Sequence, residues 1–249
     1  MRIRPVAVSA TVVAMFGLTA CGGGSPHAGV APTHHASPSP SVDADRVAVE
    51  QAYDRTTTAR TATIAVTMRT TGGDVSTGTG AVRFRPLAER LTLHTGGRTV
   101  EAVVVDGVGY VRMPGTGWRR VDLGQLDAAA GQIDPGQVLS YLRGVSSDVR
   151  RTGTATIRGT HATGYTATVD LDRAAARLTG QAADGVRRAE KALGTSTLPI
   201  TVWLDDQGRL VRERSRVTLS VAGRTVTSDT TVDLYDYGTP VTVTRPAGA

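Results

Sequence analysis

The chain has 249 residues, a formal net charge of +6 and a single cysteine, Cys21. One cysteine excludes an internal disulfide, so a hydrophobic core has to stabilise the folded part. Arginine supplies all but one of the basic residues and asparagine is absent, a composition typical of a high-GC genome such as that of an actinobacterium. We therefore interpret the positive charge as compositional, with attraction to anionic lipid headgroups or glycans as the alternative. Scattered arginines and few aromatic residues argue against a nucleic-acid partner.

Residues 1–20 have the pattern of a secretory signal peptide. Arg2 and Arg4 precede an uncharged apolar segment that is shorter than the ~20 residues of a membrane-spanning helix. Residues 18–21, LTAC, resemble the bacterial lipobox, which implies cleavage before Cys21 and acylation of its thiol. Each buried CH2 of an attached acyl chain, palmitate for example, contributes about 0.8 kcal/mol, and two or more chains make a stable anchor. We predict that Cys21 is lipidated and holds the exported protein on the outer face of the cell membrane.

Residues 21–42 carry this cysteine and then a predicted flexible tether. The segment is rich in Gly, Pro, Ser, Ala and Thr, so it buries too little apolar surface to order itself. It would let a folded domain stand away from the membrane. Its histidines, His27, His34 and His35, are interpreted as solvated linker residues rather than metal ligands, because nothing preorganises them.

Residues 43–249 are predicted to form one domain with a sizeable core. The spacing of apolar residues predicts a helix over 43–60. From Thr61 onwards apolar and polar residues alternate, which is typical of half-buried strands. The glycine-containing turns, including Asp106-Gly107, predict that these strands form hairpins. The strands predicted in this half are 61–69, 75–85, 87–94, 98–105 and 108–113.

The second half of the domain has a mixed pattern. Residues 135–142 predict a short helix, and 171–193 predict a helical region interrupted by Gly180 and Gly185. Strands are predicted at 149–157, 162–171, 198–205, 210–221, 225–237 and 241–244. The sum is an α+β domain built on a long antiparallel sheet. Such a sheet either curls on itself or leaves a concave apolar groove, and a groove would favour a ligand.

Three stretches carry a resemblance to a known family. They are residues 108–111, VGYV, with Trp118 nearby; residues 201–212, TVWLDDQGRLVR; and residues 234–241, LYDYGTPV. Together with the lipobox, the tether and the N-terminal helix, they make the chain resemble the LppX/LprG-type (LppX_LprAFG) lipoproteins of actinobacteria. The resemblance spans essentially the whole mature chain. The motifs also have a structural interpretation, because a strand, a turn and a second strand account for residues 201–212.

The resemblance implies a strongly bent antiparallel sheet, a half-barrel similar to LolA and LolB, with helices on its concave side. It also implies an apolar cavity that binds an acylated lipid or glycolipid, and transfer of that lipid across the cell envelope with a transport partner. A fold carries over between relatives better than a ligand does. The alternative function on the same fold is a non-enzymatic envelope sensor or protein-interaction module, as in RseB-like proteins.

The sequence offers little for catalysis. It has no GxSxG, HExxH or P-loop motif. Asp205 and Asp206 precede a turn glycine, and we interpret them as turn residues. Asp170 and Asp172 could share a strand face, but Asp172 also suits a helix N-cap. We predict no enzyme, no cofactor and no metal site, and a hydrolase that depends on His161 is the least supported alternative.

A lipid site on this fold needs apolar side chains that face inward at the two-residue period of a strand. On the fourth strand Val104 is the alternative to Val103 and Val105, because the period alone does not say which set faces inward. Ordinary core packing is the alternative for every residue of the set. The predicted lipid-binding residues are Ile64, Val66, Met68, Val103, Val105, Val111, Met113, Leu139 and Leu142.

Overall fold

Eleven antiparallel strands frame the domain in the computed structural model, which describes residues 40–73, 75–121, 139–146, 148–221 and 224–248. The helices are α1 (Pro40–Thr58), α2 (Leu171–Ala176) and α3 (Gly180–Leu193), with a 3-10 turn at Leu142–Gly144. The strands are β1 (Thr61–Thr70), β2 (Val75–Phe84), β3 (Leu87–Thr95), β4 (Arg98–Val105), β5 (Val108–Arg112), β6 (Arg119–Val121), β7 (Arg150–Ile157), β8 (Thr160–Asp170), β9 (Thr197–Asp205), β10 (Leu210–Val221) and β11 (Arg224–Tyr235). The predicted α+β class and the open, curled sheet are confirmed.

The sheet consists of two meanders joined at one seam. Its strand order is β6-β5-β4-β3-β2-β1-β11-β10-β9-β8-β7, so all strands that pair are consecutive in sequence except β1 and β11. At this seam Ile64 lies opposite Leu234, and Val66 lies opposite Val232. The first and last strands therefore occupy the middle of the sheet, and β6 and β7 form its edges.

Short connections join consecutive strands of each meander, except that α2 and α3 lie between β8 and β9. Asp106 and Gly107 both have positive φ, 50° and 75°, the backbone of the two-residue turn that matches the twist of a hairpin. The hairpin of β4 and β5 pairs Val105 with Val108 across this turn. The Asp-Gly pair therefore fixes the register that the sequence predicts here.

Strand alternation creates two different faces, and we call the face that carries the helices the inner face. In β1 the side chains of Ala62, Ile64 and Val66 are buried in a core that also contains residues of all three helices. Val49 of α1 and Val186 of α3 are two of these helix residues. We call this cluster the inner core; burying each large side chain in it contributes roughly 1.5–3 kcal/mol.

Backbone geometry sets the ends of the helices. The Asp170 carboxylate accepts a hydrogen bond from the Arg173 N–H at 2.9 Å and caps α2, so the N-cap is Asp170 and not the alternative Asp172. Residues 177–179 separate α2 from α3, and Gly180, with φ of 58°, is the first residue of α3. Gly194, with φ of 66°, forms the left-handed C-cap of α3. Gly185 lies inside α3, and the predicted interruption at this residue is wrong.

The prediction of a strand at residues 241–244 is wrong. Both sides of β11 are already paired, with β1 and with β10, so the following chain has no free strand edge beside it. Val243 instead packs on the other side of the sheet, the outer face. We call its cluster there the outer cluster; its buried members are Ala88, Val103, Val105, Tyr110 and Val243.

Two further differences concern short elements. The three-residue strand β6 was not predicted, because the sequence RRV is too short to show alternation. The predicted helix at 135–142 falls mostly on residues outside the described part of the chain. Its end is described: residues 139–141 are helical and lead into the 3-10 turn.

Candidate functional site

Five of the predicted lipid-binding residues belong to the inner core. Ile64 and Val66 of β1 are buried there, as are Leu139 and Leu142 of the segment that ends in the 3-10 turn. Met68 is half-buried and packs against the same cluster. The fold therefore brings residues from two distant parts of the sequence into one apolar cluster beneath the helices.

The inward placement expected of Val103 and Val105 is wrong. Both belong to the outer cluster and lie on the face away from the helices. Val104 lies opposite Glu89, two positions from the inner-core residue Leu91 on β3. Since directly opposed residues of paired strands share a face, Val104 lies on the inner face, and the sequence alternative holds for this strand.

Val111 lies on the inner face of the sheet, whereas Met113 does not. Val111 lies opposite Ala102, which in turn lies opposite Leu91, so Val111 is on the inner face, where it is half-buried. Met113 follows the last residue of β5 and is 57% exposed. It lines an open surface groove of about 500 Å³ together with Pro114. Met113 is therefore not an inner-face residue, because the strand ends before it.

The sequence analysis missed a buried carboxyl on the inner face. Glu213 of β10 is 1% exposed and lies opposite the inner-core residues Val202 and Val232. Neither carboxyl oxygen has a hydrogen-bond partner among the described residues. Burial raises the pKa of Glu213 to about 8, and the Ser215 hydroxyl opposes this rise without reaching hydrogen-bond geometry with either oxygen. The sequence gives no signal for this burial, because Glu213 stands in the charged run of residues 212–216.

The two C-terminal motifs hold α1 against the sheet. The Asp205 carboxylate accepts hydrogen bonds from the Arg209 N–H at 2.8 Å and from its guanidinium at 2.7 Å, which closes the β9–β10 turn. The Tyr237 hydroxyl donates to the Leu210 carbonyl oxygen, and the Leu210 N–H donates to the Thr56 hydroxyl of α1 at 2.9 Å. Burial raises the pKa of the Tyr237 hydroxyl. These contacts agree with the structural interpretation of both motifs.

The outer face carries a shared ion pair. Arg212 donates to both carboxylate oxygens of Asp233, at 2.6 and 2.8 Å, and Arg158 donates to one of them at 2.9 Å. Burial acts to raise the pKa of Asp233, but the hydrogen bonds and charges of Arg212 and Arg158 outweigh it, so the pKa is lowered. The guanidinium of Arg158 also lies 4.4 Å from the ring centre of Tyr235. The network ties the β7–β8 turn to β10 and β11.

An open polar groove of about 740 Å³ also lies on the outer face, over strands from β1 and β7 to β11. Arg216 pairs there with Asp229 at 3.3 Å. The other three arginines of the groove, Arg69, Arg150 and Arg214, have no ion pair within the part of the chain that the structure describes. Four arginines against the two carboxylates Asp148 and Asp229 give the groove a net positive charge.

His161, Asp206 and His94 are surface residues. The Nδ1 atom of His161 lies 3.3 Å from Oδ1 of Asp206, and both side chains are exposed, which is typical of a weak surface pair. His94 contacts the Thr99 hydroxyl at 3.1 Å. Among the described residues no group of three or more His, Cys, Asp or Glu side chains could hold a metal ion.

The membrane-related predictions concern residues that the structure does not describe. Cys21, the signal peptide, His27, His34 and His35 all precede residue 40. Within the described ranges, no helix is both long and apolar enough to cross a membrane. Lipidation of Cys21 therefore stays a prediction of the sequence.

The curled antiparallel sheet with helices on its inner face defines the class of protein, an α+β half-barrel. Residues 43–243 match the model of the LppX_LprAFG lipoprotein family. The chain belongs to this family, and the resemblance seen in the sequence motifs is confirmed.

Two solved structures share the fold. Lipoprotein LppX of Mycobacterium tuberculosis is 21% identical, with a TM-score of 0.53 over 81% of this chain and 99% of that chain. LprF from Mycobacterium bovis is 18% identical, with a TM-score of 0.53 over 85% of this chain and 100% of that chain. A curated relative, an uncharacterized 31.2 kDa protein of Streptomyces griseus, is 28% identical over 138 residues. The match covers 51% of this chain and 44% of that protein, so the chain spans less than half of the relative's length.

Proposed function

We propose that this protein is an exported lipoprotein, anchored through Cys21 to the outer face of the cell membrane, that binds an acylated lipid or glycolipid. The acyl chains would lie between the inner face of the sheet and the helices, and the lipid would pass to a transport partner in the envelope. One observation carries the proposal: a domain of the LppX_LprAFG lipoprotein family has an extended apolar inner face under its helices.

The chemistry of the inner face suits an acyl chain. Burial of apolar surface is favourable and non-directional, so a hydrocarbon chain needs apolar walls rather than specific polar contacts. The residues proposed to line the site come from the inner-face part of the predicted set, with Val104 in place of Val103 and Val105. They are Ile64, Val66, Met68, Val104, Val111, Leu139 and Leu142.

The proposal contains no chemical step and no cofactor. Binding and release of a lipid need a surface that exchanges its ligand, and the exposed His161–Asp206 pair does not belong to the inner core. Hydrolysis of an ester substrate that is lost in the His161→Ala variant would overturn the non-enzymatic proposal.

Two methionines give a matched test of the binding face. Met68→Trp adds bulk at the edge of the inner core, and we expect it to lower the amount of bound lipid severalfold. Met113→Trp makes the same change at an exposed position, and we expect unchanged loading. Both variants would be made with Cys21→Ser, so that they carry no acyl anchor and can be purified without detergent. They would be checked by circular dichroism and extracted with organic solvent for mass spectrometry, so that only bound lipid is measured. Equal loading of two folded variants would contradict the assignment of the inner face.

The alternative function, an envelope interaction module, is favoured by the charged groove on the outer face. Arg69, Arg150 and Arg214 could attract an anionic partner there. A folded wild-type protein that yields no extractable lipid, together with capture of one envelope protein that the Arg214→Glu variant fails to capture, would support this function instead.

A further inference from the structure

Glu213 is a buried carboxyl of the inner face, and an apolar site does not explain its presence. Glu213 lies on β10, and the residues that face it on β9 and β11, Val202 and Val232, are both in the inner core. The strand that carries it also contacts α1 and α3. The carboxyl therefore points into the space between the sheet and the helices, where we place the ligand.

A buried carboxyl without a hydrogen bond is unfavourable. Leaving such a polar group unsatisfied typically costs roughly 1–3 kcal/mol, and more when the group is charged. Fold stability alone would favour Leu or Val at this position, as at the facing positions on β9 and β11. A polar residue that destabilises the ligand-free protein is explained if a bound molecule forms the missing hydrogen bonds with it.

We propose that the Glu213 carboxyl is a specificity site that binds a hydroxyl group on the acyl chain or backbone of the lipid ligand. This inference rests on the proposed function, because it needs a lipid in the inner site. A neutral carboxyl and a hydroxyl each have one O–H donor and acceptor oxygens. One hydroxyl can therefore donate to one oxygen of Glu213 and accept from the other.

A hydroxyl fits this site better than a cation. Burial favours the neutral form of the side chain, since it raises the pKa of Glu213 to about 8, and a neutral carboxyl attracts an ammonium group or a metal ion weakly. A metal would also need further acidic ligands, and no cluster of three or more such residues occurs in the described ranges. A lipid without a hydroxyl would bury the carboxyl and leave it unpaired.

The test compares methyl stearate with its mono-hydroxylated analogues, which carry the hydroxyl near the ester, at mid-chain or near the tail. Affinities would be measured by displacement of a fluorescent fatty-acid probe from full-length protein carrying Cys21→Ser, which needs no detergent. We expect one hydroxylated analogue to bind about tenfold more tightly than methyl stearate, the ratio that corresponds to about 1.4 kcal/mol.

Two variants separate the role of Glu213 from general packing. Glu213→Leu should abolish the preference for the hydroxylated analogue while methyl stearate binds at least as tightly as before. Glu101→Leu is the matched control, since Glu101 is a strand glutamate that pairs with Arg112 outside the inner core, and it should keep the preference. The infrared C=O band of the neutral carboxyl should shift when the hydroxylated analogue binds to wild-type protein and not when methyl stearate binds.

The possible failures are distinguishable. If no analogue is preferred by the wild-type protein, or if the preference survives Glu213→Leu, the inference is overturned while lipid binding stands. If neither methyl stearate nor any analogue binds to the folded wild-type protein, the proposed function itself fails.

Discussion

Arg212 and Glu213 are consecutive residues of β10, but their side chains lie on opposite faces of the sheet. Arg212 donates to both carboxylate oxygens of Asp233 on the outer face, whereas Glu213 lies opposite Val232 in the inner core. Because side chains alternate along a strand, the nearest cation in the sequence cannot neutralise the buried glutamate. The contributions of Glu213 and Asp233 to stability consequently change with pH in opposite directions.

We expect Glu213 to make the protein less stable as the pH rises from about 5 to 8. Its pKa is about 8 in the folded protein, above the ordinary value of 4.5, so in this window the folded state keeps a proton that the unfolded chain releases. The free energy of unfolding contributed by this group then falls by about 1.4 kcal/mol per pH unit. Urea denaturation of Glu213→Gln should show a stability gain over wild type that grows from pH 5 to pH 8. Parallel pH profiles for the two proteins would contradict this prediction.

Asp233 should behave in the opposite way. Asp233→Ala leaves Arg158 and Arg212 without their partner, and we expect it to lower the free energy of unfolding by about 3 kcal/mol at neutral pH. Because the pKa of Asp233 is lowered in the folded state, the stabilisation is present above the pKa of the unfolded chain and is lost as the pH falls through the folded-state value. The difference from wild type should therefore shrink in acid.

A matched control for the Asp233 variant is Asp229→Ala. Asp229 also pairs with an arginine of β10, but its side chain is 51% exposed, against 7% for Asp233. We expect a loss below about 1 kcal/mol. Equal effects of the two substitutions in urea denaturation would show that burial does not strengthen the Asp233 network.

Gly144 should tolerate no side chain. A Cβ atom there would lie 2.1 Å from the backbone carbonyl oxygen of Asp170. The side chain of the same residue caps α2. We expect Gly144→Ala to lower the free energy of unfolding by about 3 kcal/mol and to reduce lipid loading, because the segment carrying Leu139 and Leu142 has to move. Gly117→Ala is the control, since nothing lies within 4 Å of its Cβ position. Thermal denaturation in which the two variants have the same midpoint would contradict the close contact.

Cys21 should determine whether the protein is attached to the membrane. We expect the wild-type protein to enter the detergent phase in phase partitioning, because two or more acyl chains make a stable anchor. Cys21→Ser should move it to the aqueous phase with the domain still folded, as judged by circular dichroism. Retention of Cys21→Ser in the detergent phase would show that the lipobox is not the anchor.

The sequence predicts the local parts of the fold well. Alternation in β1 identifies Ile64 and Val66 as buried on one face, and Asp106-Gly107 identifies the β4–β5 hairpin, because both features depend on neighbouring residues. The side on which β4 presents Val103 depends on which face the helices cover, and this is not encoded within the strand. The position of residues 241–244 likewise depends on β1 and β10 occupying both edges of β11.

The candidate site shows the same limit. Leu139 and Leu142 were found from their helical spacing, and they share the inner core with β1. Met113 was assigned inward because the predicted strand ran one residue too far. Glu213 stands in a run of charged residues that resembles an exposed strand, and only its register with Val202 and Val232 reveals that it is buried.

The seam between β1 and β11 also has a consequence for how the chain folds. Within each meander the paired strands are consecutive in sequence, but Thr63 and Tyr235 can pair only after the whole intervening chain has been made. Loop closure over so large a separation is slow compared with the formation of hairpins. Until β11 is synthesised, β1 keeps an unpaired edge of the kind on which strands of other chains can assemble. A nascent chain of this protein is therefore most vulnerable to aggregation at the strand that later becomes the centre of its sheet.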